Sequence, residues 1–238
     1  MSQIINIRSS VEKRYADAAK QPEAALCCPV DYDRKYLQAI PEEVIDKDYG
    51  CGDPSKWLKT GETVLDLGSG TGKICFIAAQ VVGPKGKVIG VDMTDDMLEV
   101  ARRNAPVVAE RIGYSNVEVR KGQRQDLALD LDRLDRTLRS KPVANAADFL
   151  NLDAAAGELR ERHPLVESDS IDVVVSNGAF CLTPNKERAF AELYRVLKPG
   201  GRIAICTTTI KNDKLPKGVH WPLCMQTFYT ASEHSTNV

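Results

Sequence analysis

Carboxylates beside a glycine-rich loop, and a scatter of thiols, are the side chains whose types and spacing in this sequence could do chemistry. Asp66 stands two residues before the first of three alternating glycines, Gly68, Gly70 and Gly72, and Asp92 closes the next apolar run. Glycines at that spacing let backbone approach a ligand, and an acid at the tip of the second strand suits a ribose diol. Seven cysteines, Cys27, Cys28, Cys51, Cys75, Cys181, Cys206 and Cys224, form no Cys-x-x-Cys pair. An odd number in such a chain argues against a secreted disulfide framework and for thiols with a task. His163, His220 and His234 make no zinc pattern with them.

The elements that must hold these residues follow from apolar periodicity. Strands are expected at Thr63–Leu67, Lys87–Asp92, Val117–Lys121, Ile171–Ser176 and Arg202–Thr208, and helices at Lys73–Val82, from Asp95 to about Ile112 with Thr94 as cap, and at Lys186–Leu197. Lys198-Pro199-Gly200-Gly201 reads as a tight turn into the fifth strand. The connection from Gln123 to Asp169 is too long for one crossover and reads as an inserted helical pair, about Asp130–Arg139 and Ala146–Glu161. The fold class is therefore α/β, a doubly wound, mostly parallel sheet. Three segments are expected: an N-terminal cap over residues 1–60, a nucleotide-binding domain over 61–210 with its insert at 123–169, and a tail over 211–238 that contributes to the substrate site. The tail shows no clear strand pair, so the sheet is either short or completed by another chain. A homo-oligomer would cover the unfinished edge.

Which nucleotide cofactor fits is a matter of sign. A dinucleotide fingerprint needs a third glycine inside the helix, where this chain has Lys73, and Asp66 would repel a pyrophosphate. S-adenosylmethionine combines a ribose diol with a sulfonium and an amino group, and a carboxylate near the loop attracts it. A degenerate or nicotinamide site is the alternative. Composition sets the setting: 238 residues, 43% hydrophobic, with a formal net charge of -1. That is enough for a sizeable core, and interspersed charges leave no nucleic-acid footprint. No apolar run is long enough to cross a membrane and Met1 to Lys20 lacks a signal-peptide core, so a cytoplasmic location is expected.

Asp66-Leu67-Gly68-Ser69-Gly70-Thr71-Gly72, Gly90-Val91-Asp92-Met93, Asp172 to Asn177 and Tyr194 to Gly201 together resemble the class I, Rossmann-like S-adenosylmethionine-dependent methyltransferases. Cys27-Cys28, Asp48-Tyr49-Gly50-Cys51-Gly52 and Trp221-Pro222-Leu223-Cys224 narrow the likeness to arsenite methyltransferases. The resemblance implies that Asp66, Gly68, Ser69, Gly70, Thr71 and Gly72 line the methionine and ribose end of the cofactor. Asp92 takes the ribose hydroxyls, Met93 packs on the adenine, Gln125 or Asp126 reaches the adenine amino group, and Asn177 closes the site beside the methyl. It further implies that Cys51 and Cys224 hold trivalent arsenic, a thiophilic substrate. The family's third cysteine follows Ser-Asn directly, where this chain has Gly178, and Cys181 three residues on is its expected substitute. Cys27 or Cys28, with Cys28 preferred, is the thiol that pairs with Cys51 during turnover. A thiol reductant and a role in arsenic detoxification come with that reading.

Plainer readings stand beside these. Cys75 inside a helix and Cys206 inside a strand are expected to be core packing. Cys181 and Cys224 have apolar neighbours that would serve equally well as packing, and Asp66 could brace its loop. Tyr15 and Tyr49 could stack on the cofactor or pack against solvent-side residues. An organic small molecule could replace arsenic as acceptor, or the chain could be a cofactor-binding subunit that is inactive alone.

Overall fold

The computed structural model describes residues 7–20, 30–47 and 49–207. Cys27, Cys28, Cys224, Thr208 and the 211–238 tail lie outside the described residues. Five strands form one parallel sheet, β1 (Thr63–Leu67), β2 (Lys87–Asp92), β3 (Val117–Lys121), β4 (Ile171–Asn177) and β5 (Leu197–Cys206), in the order β3-β2-β1-β4-β5. Helices α1 (Ile7–Lys20), α2 (Arg34–Leu37) and α3 (Glu42–Asp46) precede β1. After it come α4 (Lys73–Val82), α5 (Asp95–Ile112), α6 (Leu131–Ser140), α7 (Ala146–Arg162) and α8 (Lys186–Val196).

Side-chain alternation explains how the sheet is covered on both faces. Val64, Val88, Val173 and Val175 pack with Ile74, Phe76 and Ile77 of α4 in one core. Leu65, Leu67, Ile89, Val91 and Val174 enter a second core with Leu127, Leu165, Leu193 and Val196. Central strands read as nearly continuous apolar runs because both faces are buried. Each fully buried leucine or phenylalanine, such as Leu65, Leu67 or Phe76, contributes about 1.5–3 kcal/mol by leaving water.

Strand order reverses between β1 and β4, which opens a crevice at the carboxyl ends of the strands. The loops that follow β1, β2 and β4 converge there. Helix α1 lies against α5, with Ala18, Ala19 and Met97 buried between them. The Tyr49 hydroxyl donates to the Ala18 carbonyl at 2.9 Å, tying α1 to the chain that leads into β1.

Two local expectations are corrected. Thr94 occupies the N-cap position of α5, but its side chain makes no cap bond. The Asp92 carboxylate holds the N-cap residue instead, accepting from the Thr94 amide at 2.9 Å. Nor does β5 begin at Arg202. Leu197 already pairs with Ile171, three extra residues bulge out, and pairing resumes at Val173 with Arg202. Lys198 holds this detour through a 2.8 Å ion pair with Asp172.

In the insert, Asn145 and Asp148 form a capping box at the start of α7. Asp126 anchors the insert to the domain. Its buried carboxylate accepts from Arg160 of α7 at 2.9 Å and from Arg188 of α8 at 3.2 Å.

Candidate functional site

A cleft open at its mouth sits at the strand-order switch. Asp66, Gly68, Ser69, Gly70 and Thr71 line its floor, with Asp92, Met93 and Met97 on one side and Asn177 and Gly178 on the other. Tyr15 and Tyr49 roof it, their rings edge to face at 6.1 Å. Burial first, then the Cys181 thiol, pushes the Tyr15 phenol up to about 12, so it stays protonated and available as a donor.

The glycine loop is built for this position. Gly68, Gly70 and Gly72 all have positive φ, at 81°, 52° and 91°, which L side chains rarely adopt. The loop then runs directly into the N-terminus of α4, whose first amides favour negative charge. Both carboxylates are held beneath the loop. Asp92 accepts from the amides of Met93 at 2.8 Å and Thr94 with one oxygen, and from Gly70 at 3.0 Å with the other. Asp66 is 1% exposed and accepts from the Cys75 thiol at 3.2 Å.

These residues fit an adenosyl sulfonium ligand. The buried Ser69 hydroxyl has no partner among the described residues, although it lines the cleft. Two carboxylates and an unpaired hydroxyl facing one cleft suit a ligand that carries hydroxyls and a positive charge. After β3, Arg124 lines the cleft, while Asp126 is committed to Arg160 and Arg188.

Three thiol-bearing residues gather at the same edge. Cys51 lies half-buried on the loop before β1, and a β-carbon at Gly178 would sit 3.8 Å from its sulfur. Cys181 is buried on a short 3-10 turn, Phe180–Leu182, and its thiol donates to the Gly178 carbonyl at 3.3 Å. Cys206, expected in the core, is only half-buried at the end of β5, where its carbonyl accepts from the Gly178 amide at 2.8 Å. Burial, then Asp53, pushes its thiol up. Among the described residues no three His, Cys, Asp or Glu side chains converge as a metal site. Cys75 is fully buried as expected, yet its thiol reaches Asp66, a role that nothing in its helical position advertises.

Comparison with known proteins agrees with this geometry. Family models for a methyltransferase domain match residues 58–148 and 135–205. An arsenite methyltransferase from Aquipseudomonas alcaligenes is 38% identical over 70% of this chain and 38% of its own length. The crystal structure of an arsenic(III) S-adenosylmethionine methyltransferase from Chlamydomonas reinhardtii superposes with a TM-score of 0.54 at 35% identity. It covers 75% of this chain and 49% of that one. A demethylmenaquinone methyltransferase from Lactococcus lactis is 31% identical over 63% of this chain and 43% of its own. The chain spans between 31% and 51% of the length of the arsenite methyltransferases it matches.

Proposed function

The chain belongs to the class I S-adenosylmethionine-dependent methyltransferases, and from that premise we propose that it moves a methyl group from this cofactor to thiol-bound trivalent arsenic, arsenite or methylarsenite. The observation that carries the reading is the setting of Cys51. Its sulfur lies 3.8 Å from where a β-carbon on Gly178 would stand, and Gly178 and Gly50 line the cofactor cleft while Cys51 borders it. Cys181 borders the same glycine. Arsenic(III) is soft and thiophilic, so thiolates are its natural ligands, and sulfur coordination leaves its lone pair free.

S-adenosylmethionine supplies the methyl on an electron-poor sulfonium. The arsenic lone pair would be the nucleophile for that methyl, and the sulfonium would leave as a neutral thioether. The arsenic, raised from the trivalent to the pentavalent state, would need two electrons from the excess thiol to return to the trivalent state. No proton moves in the transfer itself, so no general base is required. The chain contributes position and charge. Asp92 orients the sugar, Asp66 balances the cationic end, and the Tyr15 and Tyr49 roof limits water. Methylarsenite needs two thiolates and arsenite three. Cys51 and Cys181 are two, and Cys224 is the third member of the set.

The likeness to demethylmenaquinone methyltransferase and the glycine at position 178 favour a second reading, an organic acceptor with the same cofactor. Mass-spectrometric speciation of arsenic separates the two, after incubation with S-adenosylmethionine, arsenite or methylarsenite and excess thiol, beside Cys51→Ser. Methylated product from the parent and none from the variant is expected. No methylated arsenic from a protein that binds the cofactor overturns the arsenic reading.

A further inference from the structure

We infer that Asn177 is a positioning residue for the Cys51 thiol, and that it clamps the thiol loop to the tip of β4 through the loop's backbone. The inference deepens the function proposed above and rests on it for what the thiol does, though not for the clamp. Asn177 Oδ1 accepts from the amides of Cys51 at 2.9 Å and Gly52 at 3.0 Å. Its Nδ2 donates to the Gly52 carbonyl at 2.8 Å and to the Tyr32 hydroxyl at 3.0 Å. The Tyr32 hydroxyl donates in turn to the same Gly52 carbonyl at 3.1 Å.

A side-chain amide has two donor hydrogens and two acceptor lone pairs. All four are taken by residues 32, 51 and 52, so Asn177 borders the cofactor cleft without polar capacity left for the cofactor. Its place in the methyl-donor site is thereby exchanged for a place beneath the thiol. The loop's glycines agree. A β-carbon at Gly50 would fall on the Asn177 amide, and one at Gly52 would lie 2.7 Å from the Cys206 sulfur. The loop can lie flat on the strand tips only without side chains on either side of Cys51. Tyr32 is itself held, because Lys73 places its ammonium 4.1 Å from the ring centroid. Lys73 directly follows the glycine loop, so a continuous set of contacts runs from the cofactor loop through Tyr32 to Cys51.

Two variants of the full chain test the clamp, Asn177→Ala and Tyr32→Phe. Alkylation of Cys51 by iodoacetamide is followed by peptide mass spectrometry without arsenic, with Cys181 and Cys206 as internal references, and cofactor affinity is measured by calorimetry. Tyr32→Phe removes two hydrogen bonds and keeps the ring under Lys73, so Cys51 alkylation is expected to rise about 2- to 10-fold. Cys181 and Cys206 rates and cofactor affinity should stay within about twofold in Tyr32→Phe, as expected when less than one ordinary hydrogen bond is lost at either. Asn177→Ala should raise the Cys51 rate further. Unchanged Cys51 reactivity in the folded variants overturns the inference, as does a loss of cofactor affinity without faster alkylation, the signature of a cofactor ligand. If Asn177→Ala does not fold, Tyr32→Phe alone decides. Faster alkylation together with an unchanged KM for the arsenical upholds the clamp and removes Cys51 from the acceptor site, so the two readings fail separately.

Discussion

Installing a cysteine at position 178 tests the thiol geometry and the backbone together. Gly178 has φ of 72°, and a β-carbon there would approach the Tyr49 carbonyl to 3.0 Å. A left-handed conformation costs an L residue about 1–2 kcal/mol, and the tight contact adds to it. Gly178→Ala and Gly178→Cys should therefore each lose about 1–3 kcal/mol of stability. For a chain of this size that lowers Tm by roughly 2–4 °C per kcal/mol. The two variants should differ in arsenic. The new sulfur extends from a β-carbon 3.8 Å from the Cys51 sulfur, where the two can share one arsenic atom. Gly178→Cys should bind arsenite at least about tenfold tighter than Gly178→Ala, a difference of ~1.4 kcal/mol. Urea denaturation measures the first quantity, and arsenite protection of Cys51 from alkylation measures the second. If Gly178→Ala costs nothing, the backbone argument is wrong. If the cysteine variant binds arsenite no better than the alanine one, Cys51 does not face the acceptor and the thiol reading falls.

Other consequences are as direct. Asp92→Ala removes acceptors for three backbone amides, so it should lower stability by about 1–3 kcal/mol and weaken cofactor binding at least tenfold, read by calorimetry. Cys75→Ser keeps a donor toward Asp66 and Cys75→Ala does not, so cofactor affinity should follow the donor, with the serine variant near the parent. The Arg103 guanidinium beside Glu43 holds its carboxyl at about 2, against an ordinary value of 4.5. Because the folded value is depressed, the stability this pair contributes is complete above pH 4.5 and is lost as pH falls toward 2. Urea titrations over that window should show a smaller acid loss for Glu43→Gln. Asp126→Asn takes the charge from the junction of α7 and α8, so limited proteolysis should cut the 131–162 insert faster while the 58–121 core stays intact.

Much of the fold was legible because the sheet's physics is local. β1, α4, β2 and β3 stand at the expected residues, since each apolar run ends in a glycine turn or a charged tip. β5 was misjudged at its start because Lys198-Pro199-Gly200-Gly201 carries every turn signal. The Ile171 pairing that extends it lies 26 residues away in sequence. Thr94 stands at the cap position as its residue type suggests, but its side chain makes no cap bond, and Asp92 at the strand tip holds the Thr94 amide. For β5 a distant partner outranked a local preference.

The site divides along the same line. Asp66, Asp92 and the glycine loop could be grouped from sequence because they lie at fixed short spacings around one strand–loop–helix unit, and they do line one cleft. The thiol loop was half readable, because Cys51 announces itself while the groups that hold it do not. Asn177 binds the backbone of residues 125 and 126 positions away, and backbone amides carry no sequence signal. The same holds for Cys75, whose helical neighbours make it look like an apolar filler while its proton points at a carboxylate. Gly178 then has a structural meaning that its absent thiol conceals. Its amide donates to the Cys206 carbonyl, its carbonyl accepts from the Cys181 thiol and its bare α-carbon faces the Cys51 sulfur, so two of the three thiols border this glycine. On the proposed arsenic reading, a glycine at 178 in place of the family's cysteine changes which sulfurs the acceptor can reach. Gly178 also lines the cofactor cleft, so substitutions there should change arsenical binding, and calorimetry with S-adenosylmethionine reads whether cofactor affinity moves with it.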